Sequence, residues 1–277
     1  MPEACATEET LLKTLKDLAK GHLVIVSGAG VSLASGIATF RGDDKNAVWK
    51  NDITTMGTFG FFLEDPVESW RRYESRFASL EGKEPNPAHF ALVDLEQWQI
   101  KRGGRFTLVT QNIDGLHDKA GSQQLVNVHG NAQYVRCPTE GCKNGAPHGK
   151  VSRADIALDA FRKNPSQNTL PRCSICRAFY RQHVLWFDEM YQSHQDYGFN
   201  AVQEAACEMS AIVFVGTSFA VGVTEMLLQA AEQKQIPTFS VDPSERAAPR
   251  PFVQVIRQKS EAFLPRLVNA LKSNQGF

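Results

Sequence analysis

The segment at residues 23–42 reads LVIVSGAGVSLASGIATFRG and decides the fold of the chain. It opens with four apolar, mostly β-branched residues, which predict a buried parallel strand. Gly28 and Gly30 follow the strand, and glycine permits both a sharp turn and a close approach of the backbone to a ligand. A strand that leads into a glycine-rich turn is typical of phosphate binding in doubly wound α/β folds. The spacing is G-x-G only, because Leu33 stands where the usual dinucleotide fingerprint has its third glycine.

Size and charge narrow the possible partners. The chain has 277 residues, enough for one sizeable domain and a smaller module. A formal net charge of +0 provides no bulk attraction to nucleic acid or to an anionic membrane. No apolar run reaches the roughly 18–20 residues that span a bilayer. We therefore expect a monomer with neither nucleic acid nor membrane as a direct partner.

The N-terminus and the cysteines bear on the cellular compartment. The first ten residues, MPEACATEET, lack the basic region and apolar core of a secretory signal and the arginines of a mitochondrial presequence. Six cysteines in such a chain favour a reducing compartment over disulfides. We expect an intracellular protein, cytoplasmic or nuclear, with a mitochondrial location left open.

Polar side chains follow a second predicted strand, 106–110. Gln111, Asn112 and Asp114 come directly after it. Polar residues beyond the carboxyl end of a strand lie where open α/β sheets bind ligands. The same residues also suit an ordinary helix N-cap by Asn112 or Asp114.

Three further predicted strands end in similar residues. Strand 125–128 leads to His129, whose unperturbed pKa of about 6.5 permits proton transfer at neutral pH, although a lone histidine is more often structural. Strand 211–215 leads to Gly-Thr-Ser at 216–218, and strand 237–241 leads to Asp242. Hydroxyl and acidic groups at such positions contact phosphate or ribose.

Four cysteines form two pairs in the middle of the chain. Cys137 and Cys142 are followed, after a polar insertion, by Cys173 and Cys176. Two such pairs predict a structural zinc site, because four thiolates close the tetrahedral shell. The alternative is four unrelated thiols.

The motifs together resemble the sirtuin (Sir2-like) family. The matching strings are GAG-x-S-x-x-SGI-x-x-FRG from residue 28, TQNIDGLH from 110, VHGN from 128 and GTS-x-x-V from 216. The resemblance implies an α/β fold: a Rossmann-like parallel sheet with helices on both faces, a small zinc-binding module and a helical module. The implied boundaries are 1–42, 107–132 and 181–277 for the Rossmann-like domain, 43–106 for the cofactor loop and helical module, and 133–180 for the zinc module.

The same resemblance implies an NAD-dependent protein-lysine deacylase that acts on acyl-lysine peptides or proteins. The acyl oxygen attacks the nicotinamide ribose, nicotinamide leaves, and His129 removes a ribose hydroxyl proton, so that free lysine and O-acyl-ADP-ribose result. The resemblance also assigns Asn112 and Asp114 to the catalytic site, where they form the nicotinamide pocket. Ser240 and Asp242 stand where the family usually has Asn and Glu. The implied NAD-binding residues are Gly28, Ala29, Gly30, Ser32, Phe40, Arg41, Gln111, Asn112, Asp114, His129, Gly216, Thr217, Ser218, Ser240 and Asp242.

Tyr73 and Arg76 lie three residues apart and so share a helical face. Alone they suit a surface arginine over an aromatic ring. Together with KEPNPAH at 83–89, however, they resemble the desuccinylase/demalonylase branch of sirtuins, in which this pair binds the carboxylate of a succinyl, malonyl or glutaryl group. A guanidinium fork binds a carboxylate through two hydrogen bonds, and a phenol adds a third. Met56 replaces a small alanine of that branch, and its larger side chain is expected to narrow the acyl pocket.

The string HVLWFDE at 183–189 resembles the family's substrate strand, which pairs with the peptide as an added strand. Asp188 replaces the family's common glycine. The implied substrate-binding residues are Met56, Tyr73, Arg76, Val184, Trp186, Phe187, Glu189 and Val221.

Other functions are compatible with parts of the pattern. Plain deacetylation, mono-ADP-ribosyl transfer and a non-catalytic NAD-binding scaffold are the alternatives. A hydride-transferring dehydrogenase is disfavoured by the broken G-x-G-x-x-G fingerprint.

Overall fold

The computed structural model describes residues 2–38, 53–244 and 247–273, so that Phe40 and Arg41 of the sequence predictions lie outside the described residues. Six strands form a parallel sheet in the order β3-β2-β1-β7-β8-β9, and three form a small antiparallel sheet in the order β5-β4-β6. The strands are β1 (His22–Ser27), β2 (Arg105–Thr110), β3 (Leu125–Asn127), β4 (Gly130–Arg136), β5 (Val151–Ser152), β6 (Arg181–Val184), β7 (Ala211–Val215), β8 (Thr238–Val241) and β9 (Gln254–Ile256).

Helices cover both faces of the parallel sheet, as the sequence predicts. Further helices lie between β1 and β2 and within the region of the cysteines. The helices are α1 (Pro2–Leu18), α2 (Ile53–Met56), α3 (Phe59–Glu64), α4 (Pro66–Ala78), α5 (Pro87–Lys101), α6 (Leu116–Ala120), α7 (Asp159–Lys163), α8 (Phe199–Glu208), α9 (Gly222–Gln233) and α10 (Ser260–Ser273).

Strand β1 lies at the centre of the parallel sheet and is buried along its whole length. Its apolar sequence fits this position, because a strand with a neighbour on each side and helices on each face contacts no solvent. Ser27 at its end pairs with Thr110 of β2 and with Val215 of β7. The three strands therefore end level, and the loops that follow them begin at one edge of the sheet. The chain reverses its winding between β1 and β7, which is where doubly wound sheets bind ligands.

Two hydrophobic cores lie on the two faces of this sheet. One packs α1, α5 and α10, with residues such as Leu15, Leu92 and Leu267, against the strands. The other packs α8 and α9, with residues such as Val202 and Leu227. Helix α5 thus packs on the parallel sheet, although the boundaries from the sequence assign it to the helical module.

A third core joins the helical module to the zinc module. It contains Trp70 and Phe77 of α4 together with Phe161 of α7 and the two buried cysteines, Cys137 and Cys173. Trp70 also donates from its indole nitrogen to the Tyr180 carbonyl at 2.7 Å. The two small modules therefore pack as one body. Within the described ranges, no helix has the length and apolarity needed to cross a bilayer.

Candidate functional site

One large cavity, of about 1140 Å³, opens at the carboxyl ends of β1, β2 and β7. It contains most of the side chains that the sequence singled out. Ser240 does not line it, because this residue is buried within β8. Met56, partly buried at the end of α2, does not line it either. The predicted residues that line it are Gly28, Ala29, Gly30, Ser32, Tyr73, Arg76, Gln111, Asn112, Asp114, His129, Val184, Trp186, Phe187, Glu189, Gly216, Thr217, Ser218, Val221 and Asp242.

The glycine turn after β1 packs against the loop after β7. The amide of Gly28 donates to the Val215 carbonyl at 3.0 Å, and the amide of Gly30 donates to the Gly216 carbonyl at 2.8 Å. A Cβ at Gly30 would lie 2.7 Å from the Gly216 Cα, and Gly216 itself has a φ of +59°. The glycines are thus required by the contact between two backbones. These two amides donate to carbonyls of the protein itself, whereas the sequence predicted that this turn presents its amides to a phosphate.

Asn112 and Asp114 belong to one hydrogen-bond network. The Asn112 side-chain amide donates to the Gly28 carbonyl at 3.0 Å and to Ser32 Oγ at 3.1 Å. Ser32 Oγ in turn donates to Asp114 Oδ2 at 2.7 Å, and the Leu116 amide donates to Asp114 Oδ1 at 2.9 Å. The pKa of Asp114 lies above its ordinary value. Burial raises it by more than these two hydrogen bonds and the charge of Arg76 lower it. Asp114 therefore lines the cavity and accepts from the first amide of α6, but Gly115 is the N-cap residue, so neither Asn112 nor Asp114 is the N-cap that the sequence offered as the alternative.

His129 is oriented by a backbone carbonyl. Its Nδ1 lies 3.0 Å from the Gln111 oxygen. A carbonyl only accepts, so Nδ1 carries the proton and Nε2 keeps its lone pair. The pKa of His129 lies below its ordinary value. Burial lowers it by more than the hydrogen bond to the Gln111 carbonyl raises it. A neutral imidazole with a free lone pair on the cavity wall is suited to accept a proton.

Two further groups fix the nucleotide side of the cavity. The Gln111 side chain donates to Thr217 Oγ1 at 3.1 Å and so connects the loops after β2 and β7. Asp242, after β8, accepts from the Ser244 amide at 2.7 Å. The wall offers amide, hydroxyl and carboxylate groups, which is the donor and acceptor set that a nicotinamide ribose and its carboxamide need. These residues fit NAD.

Tyr73 and Arg76 also line the cavity, and Tyr73 lies beside Trp186. Tyr73 is 8% exposed, and its ring centroid lies 6.1 Å from that of Trp186. Burial raises the pKa of the Tyr73 phenol, which therefore remains a donor. The pKa of Arg76 lies below its ordinary value. Burial lowers it by more than the charges of Tyr73 and Asp114 raise it. A phenol and a guanidinium thus share one cavity with His129.

Trp186 is held in place by a buried ion cluster. The Arg181 guanidinium stacks 3.4 Å from the Trp186 ring centroid and donates to Glu189 at 2.9 Å. Glu189 also accepts from Arg136 at 2.8 Å. The resemblance implies that Glu189 binds substrate. In the structure its carboxylate accepts hydrogen bonds from these two arginines and from the Trp186 amide, and so it holds Trp186 in place.

The segment after β6 uses several of its own amides. Leu185 donates to the His129 carbonyl at 2.9 Å, and Phe187 donates to the Gly57 carbonyl at 3.0 Å. Trp186 donates to Glu189 Oε2 at 3.0 Å. The carbonyls of Val184 and Trp186 are used as well, by Arg181 at 2.7 Å and by the Glu189 amide at 3.0 Å.

The four cysteines converge as the sequence predicts. Their sulfurs lie within 4.8 Å of one another. Cys137 and Cys176 are 3.3 Å apart, and Cys142 and Cys173 are 3.7 Å apart. Zinc–sulfur bonds of about 2.3 Å in a tetrahedron place sulfurs about 3.8 Å apart. The cluster fits one structural Zn²⁺.

His183, His194 and Asp196 form a second cluster. His194 Nδ1 accepts from the Asp196 amide at 3.1 Å, and its Nε2 donates to the Gly149 carbonyl at 3.0 Å. The Asp196 carboxylate pairs with Lys150 at 2.9 Å. Because both nitrogens of His194 are used, the cluster is structural.

Tyr191 also lines the cavity, and sequence reasoning missed it. Its ring is nearly parallel to the His129 imidazole, with an interplanar angle of 17° and centroids 5.9 Å apart. Tyr191 belongs to no motif. The only indication in the sequence that it lies near the site is its position two residues after Glu189, the last residue of the substrate string.

Comparisons with known proteins agree with this geometry. The model of the Sir2 family matches residues 28–223. An NAD-dependent protein deacylase of Leptospira interrogans is 33% identical over 253 residues, which cover 90% of this chain and 92% of that protein. One from Thermus thermophilus is 36% identical and covers 71% of this chain and 69% of that protein. The crystal structure of a Sir2 homologue in complex with NAD superposes with a TM-score of 0.75 at 30% identity and covers 96% of this chain and 94% of that one.

Proposed function

The chain belongs to the Sir2 family of NAD-dependent protein deacylases, and on that premise we propose that it removes acidic acyl groups, succinyl, malonyl or glutaryl, from protein lysines. The observation that carries the proposal is the position of Tyr73 and Arg76 in the cavity that also contains His129. Acyl-lysine peptides and proteins are its substrates.

The Tyr73 side of the cavity combines an apolar wall with the Arg76 guanidinium. Trp186 lines the cavity beside Tyr73, and behind it lie Phe62 and Phe59, with ring centroids 5.5 Å and 6.0 Å from that of Trp186. A half-buried guanidinium in such surroundings favours a carboxylate partner, because low polarity strengthens a charge-assisted hydrogen bond. An acetyl group offers no such partner.

The roles of the other residues follow from their positions. When bound, NAD supplies the electrophilic sugar carbon and nicotinamide as the leaving group. Asn112 and Asp114 would hold the carboxamide as acceptors for its N–H groups: the Asn112 Nδ2 group donates to Gly28 and Ser32, which leaves its Oδ1 and the Asp114 carboxylate to accept. His129 accepts the ribose hydroxyl proton at Nε2, while its Nδ1–H remains bound to the Gln111 carbonyl.

The test compares Arg76→Met with Arg72→Met on the same helix. Arg72 pairs with Glu68 and is the matched control for loss of a cation. Since the Arg76 contact exists only with an acidic acyl group, we expect Arg76→Met to lower kcat/KM on succinyl-lysine peptides about 100-fold. Turnover of acetyl-lysine should change by no more than about threefold.

Four peptides, acetyl-, malonyl-, succinyl- and glutaryl-lysine, are assayed with NAD and each variant. Equal losses on acetyl and succinyl peptides in Arg76→Met would refute the acidic preference. A wild-type preference for acetyl-lysine would identify a deacetylase. Transfer of label from NAD to protein, without free acyl-ADP-ribose, would identify an ADP-ribosyltransferase.

A further inference from the structure

Three aromatic rings lie in a row that begins at the cavity wall, where His129 and Tyr191 line it, and ends at Phe199. Tyr191 is nearly parallel to His129 on one side and to Phe199 on the other, with an angle of 9° and a centroid distance of 4.8 Å to Phe199. Phe199 is the first residue of α8 and packs on the core of that sheet face. The row thus connects the imidazole to a fixed part of the fold.

The Tyr191 hydroxyl is fixed as well. It accepts a hydrogen bond from the Val223 amide at 3.2 Å, in the first turn of α9. That helix has Val221 as its N-cap residue, which provides no side-chain cap. The Tyr191 hydroxyl therefore satisfies one of the amides that a helix start leaves without a partner. Both the ring and the hydroxyl are anchored.

We infer that Tyr191 is a positioning residue for His129: its ring fixes the plane of the imidazole and excludes water from one side, and its hydroxyl anchors that ring to α9. The inference rests on the proposed role of His129 as the base. The Gln111 carbonyl holds the imidazole at one edge, through a single hydrogen bond at Nδ1 that breaks when the ring turns about Cβ–Cγ. The nearly parallel Tyr191 ring lies beside one face and opposes the same turn, because aromatic rings favour a parallel offset arrangement.

The test compares Tyr191→Phe with Tyr191→Ala. The phenylalanine variant keeps the stacked ring and loses only the hydroxyl, whereas the alanine variant opens a path for water to His129. The first readout is an NMR titration of the His129 imidazole in the protein without ligands. Because burial holds this pKa low, we expect Tyr191→Ala to raise it by about 0.5 or more and Tyr191→Phe to leave it within about 0.2.

The second readout separates two chemical steps. In the proposed reaction nicotinamide would leave before His129 takes a proton, so exchange of labelled nicotinamide into NAD would not require the base. We expect Tyr191→Ala to lower kcat for deacylation about tenfold and to leave the exchange rate within about twofold of wild type. Tyr191→Phe should retain most of both rates.

Three outcomes would overturn the inference: an unchanged His129 pKa in Tyr191→Ala, equal losses of exchange and deacylation, or equal losses in both variants. Melting temperatures identify a variant that has lost its fold, and in that case Tyr191→Leu, which fills the same space without an aromatic ring, replaces Tyr191→Ala. The NMR titration needs no peptide and the kinetic readout works with acetyl-lysine peptides, so a failure of the acidic preference leaves both decisive. If no peptide is turned over, the NMR titration alone decides.

Discussion

At the scale of single residues, two histidines show how burial sets a pH limit on stability. His89 and His117 are almost fully buried, and their ring centroids lie 4.7 Å apart. Burial lowers the pKa of His89 to about 4 and lowers that of His117 well below its ordinary value. Since both rings stay neutral in the folded protein, protons bind them more readily after unfolding.

The folded protein should therefore lose stability as the pH falls below 6.5. The unfolded state takes up a proton at His89 from pH 6.5 downward, while the folded state resists until about pH 4. We expect His89 alone to account for about 3 kcal/mol of unfolding free energy lost by pH 4. Urea denaturation at a series of pH values measures this loss.

The matched variant is His89→Gln. His89 Nδ1 accepts from the Asn86 amide in a capping box at the start of α5. Glutamine keeps an acceptor at this helix position but does not titrate. A flatter pH profile in His89→Gln supports the assignment, and an identical profile in both proteins contradicts it.

At the scale of elements, Asp188 joins the substrate segment to helix α3. Its carboxylate accepts from the Phe59 amide at 2.7 Å and from the Gly60 amide at 3.0 Å. The sequence identified Asp188 only as a departure from the family's glycine. The structure makes it a cap for a helix whose aromatic residues pack on Trp186.

Replacing Asp188 by glycine should loosen this connection. Two amides at the helix start lose their charged acceptor, although Thr58 still caps the Phe61 amide. We expect a loss of about 1 kcal/mol in urea denaturation, because Asp188 is exposed and its contacts are screened. KM for the peptide should rise while KM for NAD stays constant. Asp188→Asn keeps an oxygen acceptor, so its stability and its KM for the peptide should lie between those of wild type and Asp188→Gly. A wild-type KM for the peptide in Asp188→Gly would contradict the argument.

At the scale of the whole molecule, the third core joins the cysteine cluster to Tyr73, at the proposed acyl pocket. Cys137, Cys173 and Tyr73 belong to the same cluster of buried side chains. Removal of zinc with a chelator should therefore lower Tm by about 10 °C or more. It should also raise KM for the acyl peptide more than KM for NAD.

Thermal melts and kinetics before and after chelation measure both effects, and restored zinc serves as the control. Equal changes in the two KM values would contradict the shared core. An unchanged Tm would contradict a structural metal.

Much of the parallel sheet was predictable, because buried strands such as β1 are continuous apolar runs and their ends follow from turn residues. Strand β4 was not predicted. It pairs with β6 through a close contact at Gly130, where a Cβ would lie 2.1 Å from the His183 carbonyl. Such a contact depends on residues distant in sequence and has no local pattern.

Within the site, loop residues at strand ends were predictable since register brings them to one edge of the sheet. Ser240 differs because it lies before the end of its strand: Val241 and Asp242 line the cavity, and Ser240 is buried within β8. Tyr191 was not predictable, as its contact with His129 arises only from tertiary packing.

A compound wedged between the cysteine loops and helix α4 would act on acyl recognition from a distance. The buried aromatic side chains that unite these two modules also form the wall behind Tyr73. Such a compound would leave the NAD-binding half of the cavity untouched and would not compete with NAD. Selective inhibitors of this enzyme are therefore best sought at the seam between its two smaller modules.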